Sequence, residues 1–340
     1  MKPQAYTEFQ PLEEVLIGRN YDSKIVDSFD ALPKVKSLLK RLLDETEEDF
    51  QHLIKVCETY GAKVIRPDYD YSKITNFSFP ILNQPRDHNI VIGDKIVMGL
   101  AGDMEYLKSI AKCLRHYKEH FIIERSKLHG LRCPSIVRLG KDILADVGGK
   151  SVQEKHWDYL KNHFSEYNFK HNKLITNEIT PMTGELHGDS IFAILKPGLI
   201  ITEKKSHIYS ELYPGWDIIE VDRNFNKMRG WNSGLKEKMM PYIYRFSNDE
   251  YHQEAFYQYI NKWLTHWVGY SQETVWDINC LVLDEENVVF SQENKDLFKK
   301  LEKYKINPIV SPFRHRFFWD GGIHCVTLDI KRRGSCERYL

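Results

Sequence analysis

The sequence has no CxxC pair, no HExxH element and no clustering among its 14 histidines, so neither a structural zinc nor a histidine-based metal centre is predicted. Its six cysteines (Cys57, Cys113, Cys133, Cys280, Cys325 and Cys336) are scattered. Such spacing argues against a disulfide framework and fits a reducing cytoplasm. Neither sign of charge is in excess: 48 basic residues face 48 acidic ones, and no block of like charge exceeds a few residues. A nucleic-acid or membrane-surface partner is therefore not expected. The longest apolar runs, such as Gly198-Leu199-Ile200-Ile201, are strand-sized and far short of a membrane span. The opening Met1-Lys2-Pro3-Gln4 carries no apolar signal region. With 340 residues and 42% hydrophobic content, the chain can bury a substantial core as one large domain or two.

What the sequence does have is a repeated grammar: an apolar strand, a tight polar turn and a second apolar strand. Asn89–Ile92 turns through Gly93-Asp94-Lys95 into Ile96–Met98, and Ser135–Leu139 through Gly140-Lys141-Asp142 into Ile143–Ala145. Ile191–Leu195 turns through Lys196-Pro197-Gly198 into Leu199–Ile201, and Cys280–Leu283 through Asp284–Asn287 into Val288–Phe290. Glycine, asparagine and aspartate at these turns supply the positive φ of tight hairpins. After most hairpins comes a helix-like stretch and one more short strand. Met104–Tyr117 precedes Phe121–Ile123, Asn294–Tyr304 precedes Ile306–Val310, and Leu32–Tyr60 precedes Ala62–Ile65. The unit is strand-strand-helix-strand in about four copies. A fifth is predicted from the strand after Cys325 together with Glu14–Ile17. Units that cannot bury their apolar faces alone close into a ring. A doubly wound sheet also alternates strands and helices, but it joins neighbouring strands through crossovers rather than hairpins. From Val221 to roughly Tyr270 the pattern lapses, and Tyr251–Trp267 reads as a helical insertion that covers a site or as a plain packing helix.

A distinctive polar residue precedes each hairpin: Asp87, then Arg132-Cys133, then His187 with Asp189, then Asn279, and finally Cys325. In a closed ring these positions converge on the axis. Two carboxylates suit a planar guanidinium through bidentate hydrogen bonds. A thiolate attacks its central carbon, and a histidine shuttles the proton. Singly, each residue has an ordinary reading. Cys325 alone reads as a core thiol, Asp87 as a turn or cap residue, His187 as a surface histidine, Asp189 as a cap and Asn279 as a structural hydrogen-bonder. The double glycine Gly321-Gly322 before Cys325 lets backbone or substrate approach closely.

In these pieces the sequence resembles the glycine amidinotransferase (arginine:glycine amidinotransferase) family of guanidino-group-modifying enzymes. Pro11–Arg19 is similar to the family's opening strand. Pro85-Arg86-Asp87 with the following hairpin resembles its PRD element, and His187-Gly188-Asp189-Ser190-Ile191-Phe192 fits its HxDxxF motif. Asp320–Gly334, with Gly321-Gly322-Ile323-His324-Cys325 inside it, is close to its catalytic-cysteine segment. The resemblance implies a single-domain, five-bladed α/β propeller of ββαβ modules with pseudo-fivefold symmetry, spanning residues 1–340 and carrying the insertion at about 221–270. It implies no metal and no organic cofactor. Cys325 is then the nucleophile and His187 the general acid/base, with Asp87 and Asp189 on the guanidinium. Arg132 and Asn279 complete the expected substrate-binding set, and arginine and an amine acceptor are the expected small-molecule partners. A cationic neighbourhood that lowers the Cys325 pKa is expected as well.

The chain departs from the family pattern in two places. An acid that orients the catalytic histidine is expected before the second hairpin, yet Arg132 stands there and Ser135 occupies the place of a second acid. A cation cannot accept the ring N–H, so the triad reads as incomplete, with Glu185 and Asp146 as substitutes. The separation of His187 from Cys325 is also longer than the family leads one to expect, and the excess falls in 221–270, where acceptor-recognising residues have no clear match. The expected activity is transfer of an amidino group from arginine to a primary amine. The alternatives are a deiminase- or dihydrolase-type hydrolase and a catalytically silent guanidine-binding relative. A homodimer stays open.

Overall fold

The computed structural model describes residues 2–69, 83–99, 104–147, 152–172, 187–202, 206–221, 253–254, 257–258, 261, 275–319 and 321–340. Within them lie fifteen strands in five three-stranded sheets. The first blade pairs β3 (Asn89–Ile92) antiparallel with β4 (Lys95–Met98), and β4 runs parallel to β5 (Phe121–Ile122). The same order recurs in β6 (Ile136–Leu139), β7 (Asp142–Ala145) and β8 (Asn168–His171). It recurs again in β9 (Phe192–Lys196), β10 (Leu199–Thr202) and β11 (Asp217–Glu220). A fourth copy is β12 (Leu281–Val282), β13 (Asn287–Phe290) and β14 (Asn307–Val310).

The fifth blade closes the ring. Strand β15 (Thr327–Arg332) pairs antiparallel with β1 (Leu12–Ile17), which runs parallel to β2 (Lys63–Ile65). The chain ends are thus joined in one sheet, as the repeat grammar predicts. The hairpin glycines behave as expected too: Gly93 and Gly140 have φ of 58° and 64°. At Gly140 a side chain would also collide with the Glu337 carbonyl, 2.0 Å from the position of an added Cβ.

The middle strands β4, β7, β10, β13 and β1 are almost wholly buried. The longest helix, α1 (Pro33–Thr59), starts with proline at its first turn, where the missing N–H is not needed. Its residues Val35, Leu39, Leu42, Leu43, Phe50, Leu53 and Cys57 recur at helical spacing and are buried in the largest core cluster. The helix Lys295–Glu302 is capped by Asn294, whose Oδ1 accepts from the Leu297 N–H at 3.0 Å. Met104–Tyr117 is a helix only to Cys113, followed by a 3-10 turn over Arg115–His120.

Most of the expected insertion lies outside the described residues. Those that are described, Gln253, Glu254, Tyr257, Gln258 and Asn261, are helical. Gln253 Oε1 accepts from the Leu32 N–H at 2.7 Å, Glu254 pairs with Lys34, and the Lys34 ammonium lies 4.6 Å from the Tyr257 ring centroid. This stretch therefore rests on the start of α1. Among the described residues no helix is long and apolar enough to cross a membrane.

Candidate active site

The turns that feed the first strand of each blade adjoin one another around the axis: Pro85–Asp87, Cys133–Ser135, Gly188–Ser190, Val275–Ile278 and the segment before β15. They bring Asp87, Arg132, His187, Asp189, Asn279 and Cys325 to one end of the propeller.

Cys325 sits in a turn two residues before β15 rather than within the strand, and it is buried. Asn279 clamps that turn. Its Oδ1 accepts from the N–H of His324 at 3.0 Å and of Cys325 at 3.2 Å. Its Nδ2 donates to the Cys325 Sγ at 3.2 Å and to the Asp189 carbonyl at 3.4 Å. Both ends of the Asn279 amide are thus committed to the chain. The double glycine is explained by the same packing. A Cβ at Gly322 would lie 2.4 Å from Asn279 Oδ1, and one at Gly321 would lie 2.2 Å from Gln84 Nε2. Gln84 in turn donates to the Trp319 carbonyl at 2.6 Å.

The Cys325 thiol faces Asp189, whose Oδ2 is 3.6 Å from Sγ. Burial pushes the thiol pKa well above its ordinary value, and the charges of Asp189 and Asp87 push the same way. This corrects the expectation of a cationic neighbourhood. The charged groups that act on the sulfur are anionic, because the ring gathers the carboxylates of Asp189 and Asp87 on its side. The Asp189 carboxyl is itself held below the ordinary range: burial is the largest single influence and opposes its ionisation, but the hydrogen bond from His324 together with the charges of His324, His187 and Arg86 outweighs that penalty. Burial instead lifts Asp87 to about 6, against the opposing charges of His187 and Arg132. Oδ1 of Asp87 and Oδ1 of Asp189 are both shielded from solvent without a hydrogen-bond partner among the described residues.

His187 sits at the entry to the Gly188–Ser190 turn, with Nδ1 3.6 Å from Asp87 Oδ1. That is ion-pair range but beyond a hydrogen bond. An acid therefore does face His187, although it comes from the first blade and not from the position that Arg132 occupies. Arg132 precedes the Cys133–Ser135 turn, is only partly exposed, and acts electrostatically on Asp87 and His88. Ser135 Oγ accepts from the Gly188 N–H at 3.4 Å, which ties the second blade to the backbone beside His187. Of the two proposed substitutes for the missing acid, Glu185 lies outside the described residues. Asp146 follows β7, and its charge acts on Tyr209 and Tyr213.

Three neighbours of the site escape motif reading. His324 Nδ1 is 2.8 Å from Asp189 Oδ2, and its Nε2 is 3.6 Å from Glu8 Oε2. Glu8 lies in the irregular N-terminal segment, where no strand or helix pattern marks it. His88 is half-buried and lies edge-on to Tyr106, and desolvation lowers its pKa to about 4. Among the described residues no group of histidine, cysteine and carboxylate side chains is arranged to hold a metal ion.

No family model matches the chain, but curated proteins do along its length. It is 23% identical to an L-arginine:L-lysine amidinotransferase of Pseudomonas savastanoi pv. phaseolicola, over 99% of this chain and 96% of that protein. It is 22% identical to inosamine-phosphate amidinotransferase 1 of Streptomyces glaucescens, over 98% of each. Identity to the mitochondrial glycine amidinotransferase of Xenopus laevis is also 22%, over 99% of this chain and 84% of that one. Among solved structures, an amidinotransferase of saxitoxin biosynthesis from Microseira wollei superposes with a TM-score of 0.68 at 18% identity, covering 99% of both chains. A dimethylarginine dimethylaminohydrolase superposes with a TM-score of 0.52 at 10% identity, over 93% of this chain and 99% of that one. The motifs, the blade order and the end-to-end matches agree: the curated relatives of this chain are amidinotransferases, and it has their five-bladed α/β propeller fold.

Proposed function

We propose that the protein is an amidinotransferase that takes the amidino group of arginine onto Cys325 and passes it to a primary amine, releasing ornithine. The observation that carries this reading is the thiol of Cys325 with the buried carboxylate of Asp189 beside it and the half-buried carboxylate of Asp87 acting on it, each with an oxygen that no described group hydrogen-bonds. An unsatisfied buried carboxylate oxygen is costly, and a guanidinium supplies the planar pair of N–H groups that would relieve two of them at once. The same cation would neutralise the field that keeps the thiol protonated.

In the first half-reaction the Cys325 proton passes to His187 and Sγ bonds to the guanidinium carbon. The bond from that carbon to Nε breaks as His187 gives its proton to the departing ornithine amine. In the second, an acceptor amine attacks the same carbon and loses a proton to His187. The carbon–sulfur bond breaks, and the proton returns to Sγ. Asn279 holds Cys325 throughout, with both ends of its amide on the chain, so its role in the expected substrate-binding set is support of the nucleophile. The relatives' names include lysine, glycine and an inosamine phosphate, so the family scaffold accommodates different acceptors.

Incubation with labelled arginine, with and without candidate amines, tests the proposal. An amidino adduct on Cys325 by mass spectrometry, with ornithine release and amine-dependent turnover, is the expected result. Citrulline without an acceptor would assign the hydrolase reaction instead. Intact arginine and an unmodified Cys325 under every condition would overturn both.

A further inference from the structure

We propose that His324 is a positioning residue that holds Asp189 Oδ2 toward the Cys325 thiol and leaves Oδ1 open, by bridging Asp189 to Glu8 and the buried ionic core. The proposal rests on Asp189 being a guanidinium-holding group, as above.

Asp189 is held ionised, and an ionised carboxylate only accepts hydrogen bonds. The proton of the 2.8 Å contact therefore sits on His324 Nδ1. That bond commits Oδ2, the oxygen that also faces the thiol at 3.6 Å, and leaves Oδ1 free. On its other side the ring meets Glu8 at 3.6 Å, and Glu8 is not free to swing. Arg138 grips it with two hydrogen bonds, Nε to Oε1 at 2.8 Å and Nη2 to Oε2 at 2.7 Å. Arg138 is itself fully buried on β6, donating to the Val91 carbonyl at 2.9 Å and to Asp329 Oδ2 at 2.6 Å. Asp329 also binds Arg332 at 2.7 Å and pairs with Arg86.

The backbone of His324 is held as firmly as its ring. Its N–H donates to Asn279, and its carbonyl accepts from Arg86 Nε at 3.0 Å. Glu8, Asp189 and His324 also border a cavity of about 40 Å³ whose other walls are mainly apolar. That space fits only a few water molecules, so these groups do not form a second site for a guanidino substrate. They connect the ring's ionic centre to the carboxylate beside the nucleophile.

The test is a double-mutant cycle read on Cys325 itself. His324→Ala and His324→Asn are made in the wild-type and Asp189→Asn backgrounds, and the rate of Cys325 alkylation by iodoacetamide is followed by mass spectrometry. Thermal melting checks that each variant is folded. If His324 acts through Asp189, His324→Ala changes the alkylation rate at least about threefold in the wild-type background and less than about 1.5-fold beside Asp189→Asn. The asparagine variant keeps an N–H donor near the Nδ1 place and should recover most of the wild-type rate. In turnover, His324→Ala should raise the arginine KM at least about tenfold while kcat moves less than about threefold. Equal changes in both backgrounds, or an asparagine variant as impaired as the alanine one, would overturn the proposal. Should the alanine variant fail to fold, His324→Gln, which shifts the donor off its place, substitutes in the same cycle. Coupling in this cycle without an amidino adduct from arginine would refute the transferase reading alone, because alkylation needs no turnover.

Discussion

Replacing Asp189 by asparagine removes the negative charge nearest the Cys325 sulfur while keeping the size of the side chain. At an effective dielectric of about 20, a thiolate and a carboxylate oxygen 3.6 Å apart repel by about 5 kcal/mol. Converted at about 1.4 kcal/mol per factor of ten, removing this repulsion favours the thiolate by roughly a thousandfold at neutral pH. The less basic thiolate loses about half of that advantage, on a logarithmic scale, in intrinsic reactivity. The net expectation is about a 30-fold faster alkylation of Cys325 in Asp189→Asn than in the wild type. Arginine turnover, in contrast, should fall by two orders of magnitude or so, since one arm of the guanidinium grip is lost. The two effects run in opposite directions, which separates electrostatics from general damage to the site. The assay is peptide mapping after timed treatment with iodoacetamide, with Cys133 and Cys280 as buried internal controls. A Cys325 that reacts no faster in the variant would refute the claim that the anionic pair restrains the free thiol.

Four further outcomes follow from the same geometry. Burial raises Asp87 from 3.8 to about 6, so between those values the native state keeps a proton that the unfolded chain has released, and stability falls as pH rises through that window. Asp87→Asn should therefore be more stable than wild type by about 2–3 kcal/mol at pH 7 and nearly equal to it below about pH 4, measured by urea unfolding. Arg138→Met leaves Glu8 and Asp329 short of their shared buried cation and should cost about 3–5 kcal/mol in the same assay; a loss under about 1 kcal/mol would contradict the structural role of that cluster. Gly322→Ala forces Asn279 away from the Cys325 turn and should lower kcat on the order of 100-fold with little change in melting temperature, whereas an unimpaired variant would mean that Asn279 does not hold the nucleophile. Arg132→Asp places an acid before the second hairpin again, and a faster single-turnover transfer would show that orientation of His187 is limiting; a loss of rate would assign the Arg132 charge its own role beside Asp87.

The fold was legible because its signal is local. Apolar strands and a left-handed glycine at three hairpin tips, Gly93, Gly140 and Gly198, declare one blade within about forty residues. The closing blade could be inferred as well, since β15 and β1 were the strands left unpaired. Cys325, Asp189 and Asp87 were legible by residue type at equivalent strand starts. The supporting groups were not, because their identity depends on closure of the ring. Glu8 has no strand or helix periodicity around it, and Arg138 reads as an ordinary polar residue on a strand, yet Arg138 meets Asp329 across 191 positions and Arg86 meets the same carboxylate across 243.

His324 lay in plain view beside the cysteine, but only the folded ring shows that its imidazole engages Asp189 and Glu8. The electrostatic sign of the site was misread for the same reason. From sequence alone a nucleophilic thiol calls for cations, and the motifs place carboxylates nearby without saying how near. In three dimensions the cations of this ring, Arg86, Arg138 and Arg332, are spent on Asp329 and Glu8. Asp87 and Asp189 are left as the charges that reach the sulfur. On the proposed reading, such a site keeps its thiol protonated until a guanidinium enters between the carboxylates, so the substrate's own charge becomes the condition for attack.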